Sequence, residues 1–153
     1  MTSSYADLTL YDRDGRLIAV AEAKNKQGTS CEWAAKLRRN ILAHGGRYNA
    51  DFFLLVTPDR LYIWKNAGTA PTLIQPTYEL DARPIFAPYF ERVGVKPGDI
   101  SGQAFELVVA AWLGDLVRSE EQREALTDGQ RLLAESGFLT AARDGRIAYE
   151  EAA

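Results

Sequence analysis

Two short stretches near the start of the chain alternate between apolar and polar positions, which is the pattern of a half-buried β-strand. They cover residues 5–11 and 17–24, and the turn sequence DRDG lies between them. The pattern therefore predicts a β-hairpin. Its Asp14-Gly15 pair favours a two-residue type I′ turn, and a longer or bulged loop would shift the strand pairing by one residue.

The next segment has the periodicity of an amphipathic helix. Thr29 and Glu32 form a capping box, with Ser30 as an alternative cap, and two glycines follow His44, so the helix is predicted over residues 30–44. Its predicted apolar stripe consists of Trp33, Ala34, Leu37 and Ile41, whereas Lys36, Arg38, Arg39 and Asn40 are predicted to lie off that stripe.

Two apolar runs after the helix, DFFLLVT and LYIWK, are bounded by polar or turn residues and predict two further strands. Residues 1–66 thus follow the order strand, strand, helix, strand, strand. That order predicts an α/β or α+β core in which one helix covers the sheet.

The rest of the chain is predicted to complete a single domain over residues 1–153. Residues 67–100 are expected to form a proline-rich connector with an edge strand at 72–75 and a short helix near its end. Residues 101–153 are expected to form a helical extension packed on the core. Its predicted parts are helices at 101–118, 119–126 and 127–137, and a small hairpin around Asp144-Gly145.

Composition excludes several classes of function. Cys31 is the only cysteine and His44 the only histidine, so one chain offers neither a disulfide framework nor a Cys/His zinc site. Nothing places a nucleophile beside His44, so Cys31 is interpreted as a packing residue and His44 as a helix-end residue. No apolar run is long enough to span a membrane and no signal-peptide pattern is present, so a cytoplasmic protein is expected.

Charge is distributed unevenly along the chain. Residues 1–66 contain 10 Lys+Arg and 7 Asp+Glu, whereas residues 67–153 contain 8 and 14. A mildly basic first part suits a polyanionic partner, but a mixed solvated surface explains the same small excess equally well.

The predicted turn has a consequence for three charged residues. It would place Asp7 directly opposite Glu22, with Lys24 on the same face, while the other face of the hairpin would carry only alanine and leucine. The alanine and leucine face suits the close packing of a helix, so the acidic face is expected to be the free one. Two facing carboxylates repel each other, so a positive charge or a shared proton must offset them. Either Lys24 pairs with both acids on a solvated strand, or a divalent cation such as Mg²⁺ binds there.

The segment ADLTLY…GRLIAVAEAKNK carries a more specific pattern: an acid near the start of one strand, Glu-x-Lys at the end of the next, then a helix and two strands. In this pattern residues 5–65 resemble the PD-(D/E)xK nucleases, the restriction-endonuclease-like superfamily. They are most similar to proteins that resemble the N-terminal nuclease domain of type I restriction enzyme R subunits. The resemblance implies an α/β (α+β) fold with a restriction-endonuclease-like mixed central sheet and a flanking helix. It also implies a Mg²⁺- or Mn²⁺-dependent endonuclease linked to restriction or defence.

The same resemblance implies roles for individual residues. Asp7 and Glu22 would bind the metal ion together with the backbone carbonyl of Ala23, and Lys24 would be the catalytic lysine. Such proteins usually begin with a helix that often bears another glutamate ligand, and only six residues precede Asp7 here. Glu106 is the candidate for that further ligand.

On this hypothesis the chain hydrolyses DNA, alone, as a homodimer or within a larger complex. Five basic residues are expected to hold backbone phosphates without reading sequence: Lys26, Lys36, Arg38, Arg39 and Arg47. The alternative is a catalytically inactive module that keeps the fold for nucleic-acid binding or protein interaction. The sequence leaves both DNA and RNA open as substrates.

Overall fold

The structure is a computed structural model, and it describes residues 8–44, 49–118 and 128–149. Within these ranges the chain forms six strands and five helices. In chain order they are β1 (Leu8–Tyr11), β2 (Leu17–Ala23), α1 (Cys31–Ala43), β3 (Phe52–Val56), β4 (Arg60–Lys65), β5 (Tyr78–Asp81), α2 (Arg83–Val93), α3 (Gly102–Arg118), α4 (Asp128–Glu135), α5 (Phe138–Ala142) and β6 (Arg146–Tyr149).

The described strands form one sheet in the order β5-β4-β3-β2-β1-β6. β2 and β3 are parallel, because α1 connects them as a crossover, and the other neighbouring strands are antiparallel. The molecule is therefore a mixed α/β structure with a mixed central sheet, which is the coarse fold class that the sequence predicts. Because β6 pairs with β1, residues from both ends of the chain share this sheet.

The loop of the β1–β2 hairpin is longer than the predicted two-residue turn. The backbone amide of Asp12 donates to the carbonyl oxygen of Arg16 at 2.9 Å, which leaves residues 13–15 as the loop. Gly15 has a φ of 85°, a conformation that costs glycine little. The Asp12 carboxylate accepts hydrogen bonds from the backbone amides of Asp14 and Arg16, both at 2.9 Å, and so holds the loop closed.

A bulge compensates for the longer loop. Tyr11 pairs with Leu17 rather than with Ile18 as predicted, and the register shifts between Leu10 and Tyr11. The extra residue in β2 returns the strands to the predicted pairing, because a bulge places two residues opposite one. The remaining pairs are those expected: Leu10–Ala19, Thr9–Val20 and Leu8–Ala21.

Helices cover the two faces of the sheet unequally. Helices α2 to α5 pack on the face that contains Ala19 and Ala21 of β2, and this side holds the larger hydrophobic core. Helix α1 packs on the opposite face, where the core is smaller. Its strand residues are Val20, Phe53, Leu55, Tyr62 and Trp64.

Helix α1 begins close to its predicted position, with Ser30 as the cap. The Ser30 hydroxyl accepts a hydrogen bond from the backbone amide of Trp33 at 3.1 Å, as an N-cap residue should. Thr29 instead forms a hydrogen bond with the Tyr62 hydroxyl at 2.7 Å. The predicted apolar stripe is displaced around the helix: Trp33, Leu37 and Ile41 are only half-buried, and the buried residues are Ala34, Ala35, Arg38 and Leu42.

The predicted edge strand lies later in the chain than expected. Residues 72–75 do not form it, and the edge strand is β5. The reason is that the Ile74 carbonyl accepts a hydrogen bond from the Trp64 indole at 2.8 Å, and Pro71 and Pro76, on either side, lack the amide that a ladder requires.

The segment around Asp144-Gly145 does not form the predicted small hairpin. The first arm of that hairpin is the short helix α5, and the second arm, β6, pairs with β1. Without β6, β1 would be an exposed edge with unpaired backbone groups, and the added strand covers it. The helices predicted at 101–118 and in the connector correspond to α3 and α2, whereas the helix predicted at 119–126 lies outside the described residues.

Asp81 links β5 to α2 and is expected to make stability depend on pH. Its carboxylate accepts hydrogen bonds from the Arg83 amide at 3.0 Å and from the Arg83 guanidinium at 2.7 and 2.9 Å. These bonds lower the pKa of Asp81 from 3.8 to about 2. Since the pKa is lower in the folded state, the stabilisation is present above the ordinary value and is lost as the pH falls toward about 2.

We therefore expect Asp81→Asn to reduce the free energy of unfolding by about 0.5–1 kcal/mol at neutral pH, the usual size for an exposed ion pair. The difference from the unchanged protein should shrink as the pH is lowered through this window. Urea unfolding at several pH values checks this expectation, and a difference that is constant with pH would contradict it.

Candidate functional site

The candidate site lies at the end of β2, where a buried acid and a partly exposed lysine share one face. Glu22 and Lys24 alternate with Ala21 and Ala23, so both project from the face that α1 covers. The Glu22 side chain is 8% exposed, the Lys24 side chain is 42% exposed, and Nζ of Lys24 lies 3.1 Å from Oε1 of Glu22. A carboxylate with so little access to water requires compensation by charge or hydrogen bonds, and this ion pair supplies part of it.

The parallel pairing of β2 with β3 fixes the position of these side chains. Glu22 is aligned with Leu55, and the Lys24 amide donates to the Val56 carbonyl at 2.8 Å. The pair therefore sits where the carboxyl ends of two parallel strands meet, the edge of an open α/β sheet at which ligands commonly bind. A further hydrogen bond of 2.9 Å, from the Lys26 amide to the Lys24 carbonyl, turns the chain away from the sheet at this point.

The two faces of the hairpin differ as the sequence predicts. Ala19 and Ala21 are buried on the face that receives helices α2 to α5, so the expectation of a closely packed alanine face is confirmed. The expectation that the acidic face is free of helices is wrong, because α1 covers Val20 and its neighbours on that side. Glu22 itself is buried, while Lys24 reaches solvent.

Asp7 and Arg47 lie outside the described residues, so the predicted pairing of Asp7 with Glu22 stays a prediction. The described part of the hairpin follows the predicted register up to the Leu8–Ala21 pair. Within the described ranges, no group of three or more His, Cys, Asp or Glu side chains is arranged to hold a metal ion.

Glu106 is half-buried on α3, and α3 packs on the alanine face of β2. That face is opposite to the one from which Glu22 projects, so the packing of α3 gives no support to a shared metal site. The proposed role of Glu106 as a further ligand stays a prediction without structural support.

The predicted phosphate-binding residues divide into two groups. Lys26 and Lys36 are exposed and Arg39 is half-buried, so all three have access to solvent from α1 or the loop before it. Nζ of Lys26 lies 5.6 Å from the centre of the Trp33 ring. The prediction that Arg38 lies on this surface is wrong, because its side chain is 1% exposed and points between α1 and the sheet.

Sequence reasoning missed Arg38 as a core residue because its charge suggested a solvated position. The spacing of residues along α1 nevertheless indicates that Arg38 is buried. Ala34, Arg38 and Leu42 follow one another at intervals of four residues, so they lie on one face of the helix, and that face is the buried one.

Cys31 matches its interpretation as a packing residue. It is partly buried at the start of α1 and forms no disulfide. Burial, followed by the nearby Glu79 carboxylate, raises the pKa of the Cys31 thiol. The thiolate, which is the nucleophilic form, is thus disfavoured.

The oxygen atoms available at the end of β2 are of the type that binds a hard divalent cation. Carboxylate oxygens and backbone carbonyls are the ligands that Mg²⁺ and Mn²⁺ take in proteins, and Glu22 and the Ala23 carbonyl are of this kind. A second carboxylate would have to come from Asp7.

Comparison of the chain with models of protein families, with curated proteins and with solved structures gives no match. None of the helices in the described part of the chain is long and apolar enough to cross a membrane.

Proposed function

We propose that this chain is a Mg²⁺-dependent phosphodiesterase of the PD-(D/E)xK type that acts on DNA and serves restriction or defence. The observation that carries the proposal is the Glu22–Lys24 pair at the carboxyl end of β2, with the carboxylate buried and the ammonium partly exposed. The element order supports the proposal as well. In the PD-(D/E)xK pattern the acid and the Glu-x-Lys segment lie on two antiparallel strands, which are followed by a crossover helix and two further strands, and the chain has this order.

In this proposal each residue at the end of β2 has a separate catalytic role. Asp7, Glu22 and the Ala23 carbonyl would hold the metal ion, which would supply an activated water and neutralise charge on the phosphate when bound. Lys24 orients the attacking water and donates a hydrogen bond to the phosphate oxygen on which charge develops. Its 3.1 Å contact with Glu22 keeps the ammonium at the site before substrate arrives.

DNA would lie across the exposed side of α1. Lys26, Lys36 and Arg39 are accessible there and would contact phosphates, which fix the position of the duplex but do not read its sequence. Arg47 keeps its predicted place in this set. A second copy of the chain or another subunit would extend the surface.

A catalytically inactive module is the second candidate, and one observation favours it. Lys24 already supplies a positive charge to Glu22, so the buried carboxylate has compensation without a metal ion. In that case the same α1 surface would bind nucleic acid or a protein, and the strand end would be purely structural.

Metal binding distinguishes the two candidates without knowledge of the substrate. We expect Mn²⁺ titrated into the protein to give one saturable site by isothermal calorimetry, and Glu22→Gln to weaken it at least about tenfold, since the variant loses a charged ligand. Glu91→Gln, which removes an exposed carboxylate from α2, should leave binding unchanged. Absence of a Glu22-dependent binding signal would favour the inactive module.

A further inference from the structure

Arg38 is a buried cation on the face of α1 that packs against the sheet. Its exposure is 1%, so the whole side chain, including the guanidinium, is removed from water. Arginine remains charged in proteins, and a buried charge needs a partner of opposite sign or a full set of hydrogen bonds.

The contacts of Arg38 provide only part of that compensation. Nη2 donates to the Gly68 carbonyl at 3.0 Å, and the guanidinium carbon lies 5.8 Å from the ring centres of both Phe53 and Trp64. Nε and Nη1 have no hydrogen-bond partner, and no carboxylate pairs with this guanidinium within the described ranges. Several N–H donors of a full positive charge are thus left without an acceptor.

A small cavity adjoins this guanidinium. Its volume is about 10 Å³, and its lining includes Val20, Arg38, Phe53, Trp64 and Gly68. A space of that size accepts one particle about as large as a water molecule. The cavity is therefore too small for a phosphate group of DNA, and Arg38 belongs to a site separate from the proposed DNA surface.

Asp51, the other ionisable residue that lines the cavity, does not balance the positive charge of Arg38. Both of its carboxylate oxygens accept hydrogen bonds from the Arg16 guanidinium at 2.9 to 3.0 Å. Arg16 therefore neutralises Asp51. The three side chains Arg16, Arg38 and Asp51 together carry one positive charge in excess.

We propose that the cavity beside Arg38 binds a monatomic monovalent anion, of which chloride is the abundant example. Chloride is only slightly larger than water, accepts several hydrogen bonds at once, and carries the charge that the site lacks. A water molecule could accept one or two of the free N–H groups, but it would leave the excess positive charge uncompensated. The anion would secure α1 to β3 and β4, and the inference does not depend on phosphodiester hydrolysis.

Thermal unfolding at constant ionic strength tests this proposal. When sodium chloride replaces sodium gluconate, whose anion is too large for the cavity, we expect the Tm to rise by about 3–6 °C, because a ligand that binds only the folded state stabilises it. Arg38→Met keeps an unbranched flexible side chain but removes the guanidinium and its charge, so this variant should show no chloride-dependent shift. Arg13→Met, which removes an exposed arginine of the hairpin loop, should retain the full shift.

Equal shifts in the unchanged protein and in Arg38→Met, or no shift in either, would overturn the proposal. Crystals of the unchanged protein grown in sodium bromide provide a test that does not depend on how the variant folds. An anomalous bromide peak in the cavity, within contact distance of Nε and Nη1 of Arg38, supports the anion site. Density for a water molecule without anomalous signal overturns it.

Discussion

Replacing Lys24 by methionine is expected to abolish Mg²⁺-dependent cleavage of plasmid DNA while leaving Mn²⁺ binding intact. The Lys24 side chain is 42% exposed and its ammonium lies 3.1 Å from Glu22, so it is placed to act on substrate but is not itself a metal ligand. We expect a loss of about 10³-fold in the cleavage rate, the usual effect of removing one group that stabilises developing charge. Removing a positive charge beside the metal ligands should, if anything, strengthen Mn²⁺ binding.

Glu22→Gln and Asp7→Ala should lose cleavage and also bind Mn²⁺ more weakly. Comparison of the three variants therefore distinguishes a catalytic role from a role in metal binding. Lys65→Ala is the matched control, because it removes an exposed lysine from a strand on the far side of β3. Circular dichroism establishes that each variant is folded before its rate is compared. Cleavage that survives both Lys24→Met and Asp7→Ala would exclude the proposed site.

The strand pairing in the described hairpin could be predicted from the sequence, even though the length of its turn could not. Alternation of apolar residues requires Leu8 and Leu10 to face the same core as Ala19 and Ala21, and a shift of one residue would move the pair on one strand out of that core to the opposite face. The core therefore dictates the register. The loop is longer than the predicted turn and has Gly15 at a positive φ, and the bulge in β2 compensates for the extra length.

The position of Arg38 and the pairing of β6 could not be predicted in the same way, because both depend on contacts distant in sequence. Arg38 is buried because Gly68 and two aromatic rings surround its guanidinium, and these groups belong to β3, β4 and the segment after β4. Strand β6 joins the sheet because β1 would otherwise be an uncovered edge. Local periodicity carries no information on either partner, and for the same reason it could not show that Glu106 lies on a helix of the alanine face.

The second large effect is expected from Gly145→Ala at the start of β6. A Cβ atom at this position would overlap the carbonyl oxygen of Tyr11 and lie 3.0 Å from the Ala142 carbonyl oxygen. Both obstacles are backbone atoms held by neighbouring structure, because Tyr11 is paired with Arg146 in the sheet and the Gly145 amide donates to Ala142 at 3.0 Å. The backbone can therefore relieve the overlap only by separating β6 from β1.

We expect Gly145→Ala to lower the free energy of unfolding by about 2–4 kcal/mol, which corresponds to a decrease in Tm of roughly 6–12 °C for a chain of this size. Gly102→Ala, at the first residue of α3, is the control, since a Cβ there meets nothing within 4 Å. Hydrogen exchange should show where the structure is weakened: the backbone amides of β1, the strand that pairs with β6, should lose protection before the amide of Leu54 in β3. Because β1 directly follows Asp7 in the chain, its separation from β6 should also weaken Mn²⁺ binding. A Tm within about 2 °C of the unchanged protein would show that β6 does not depend on this close backbone contact.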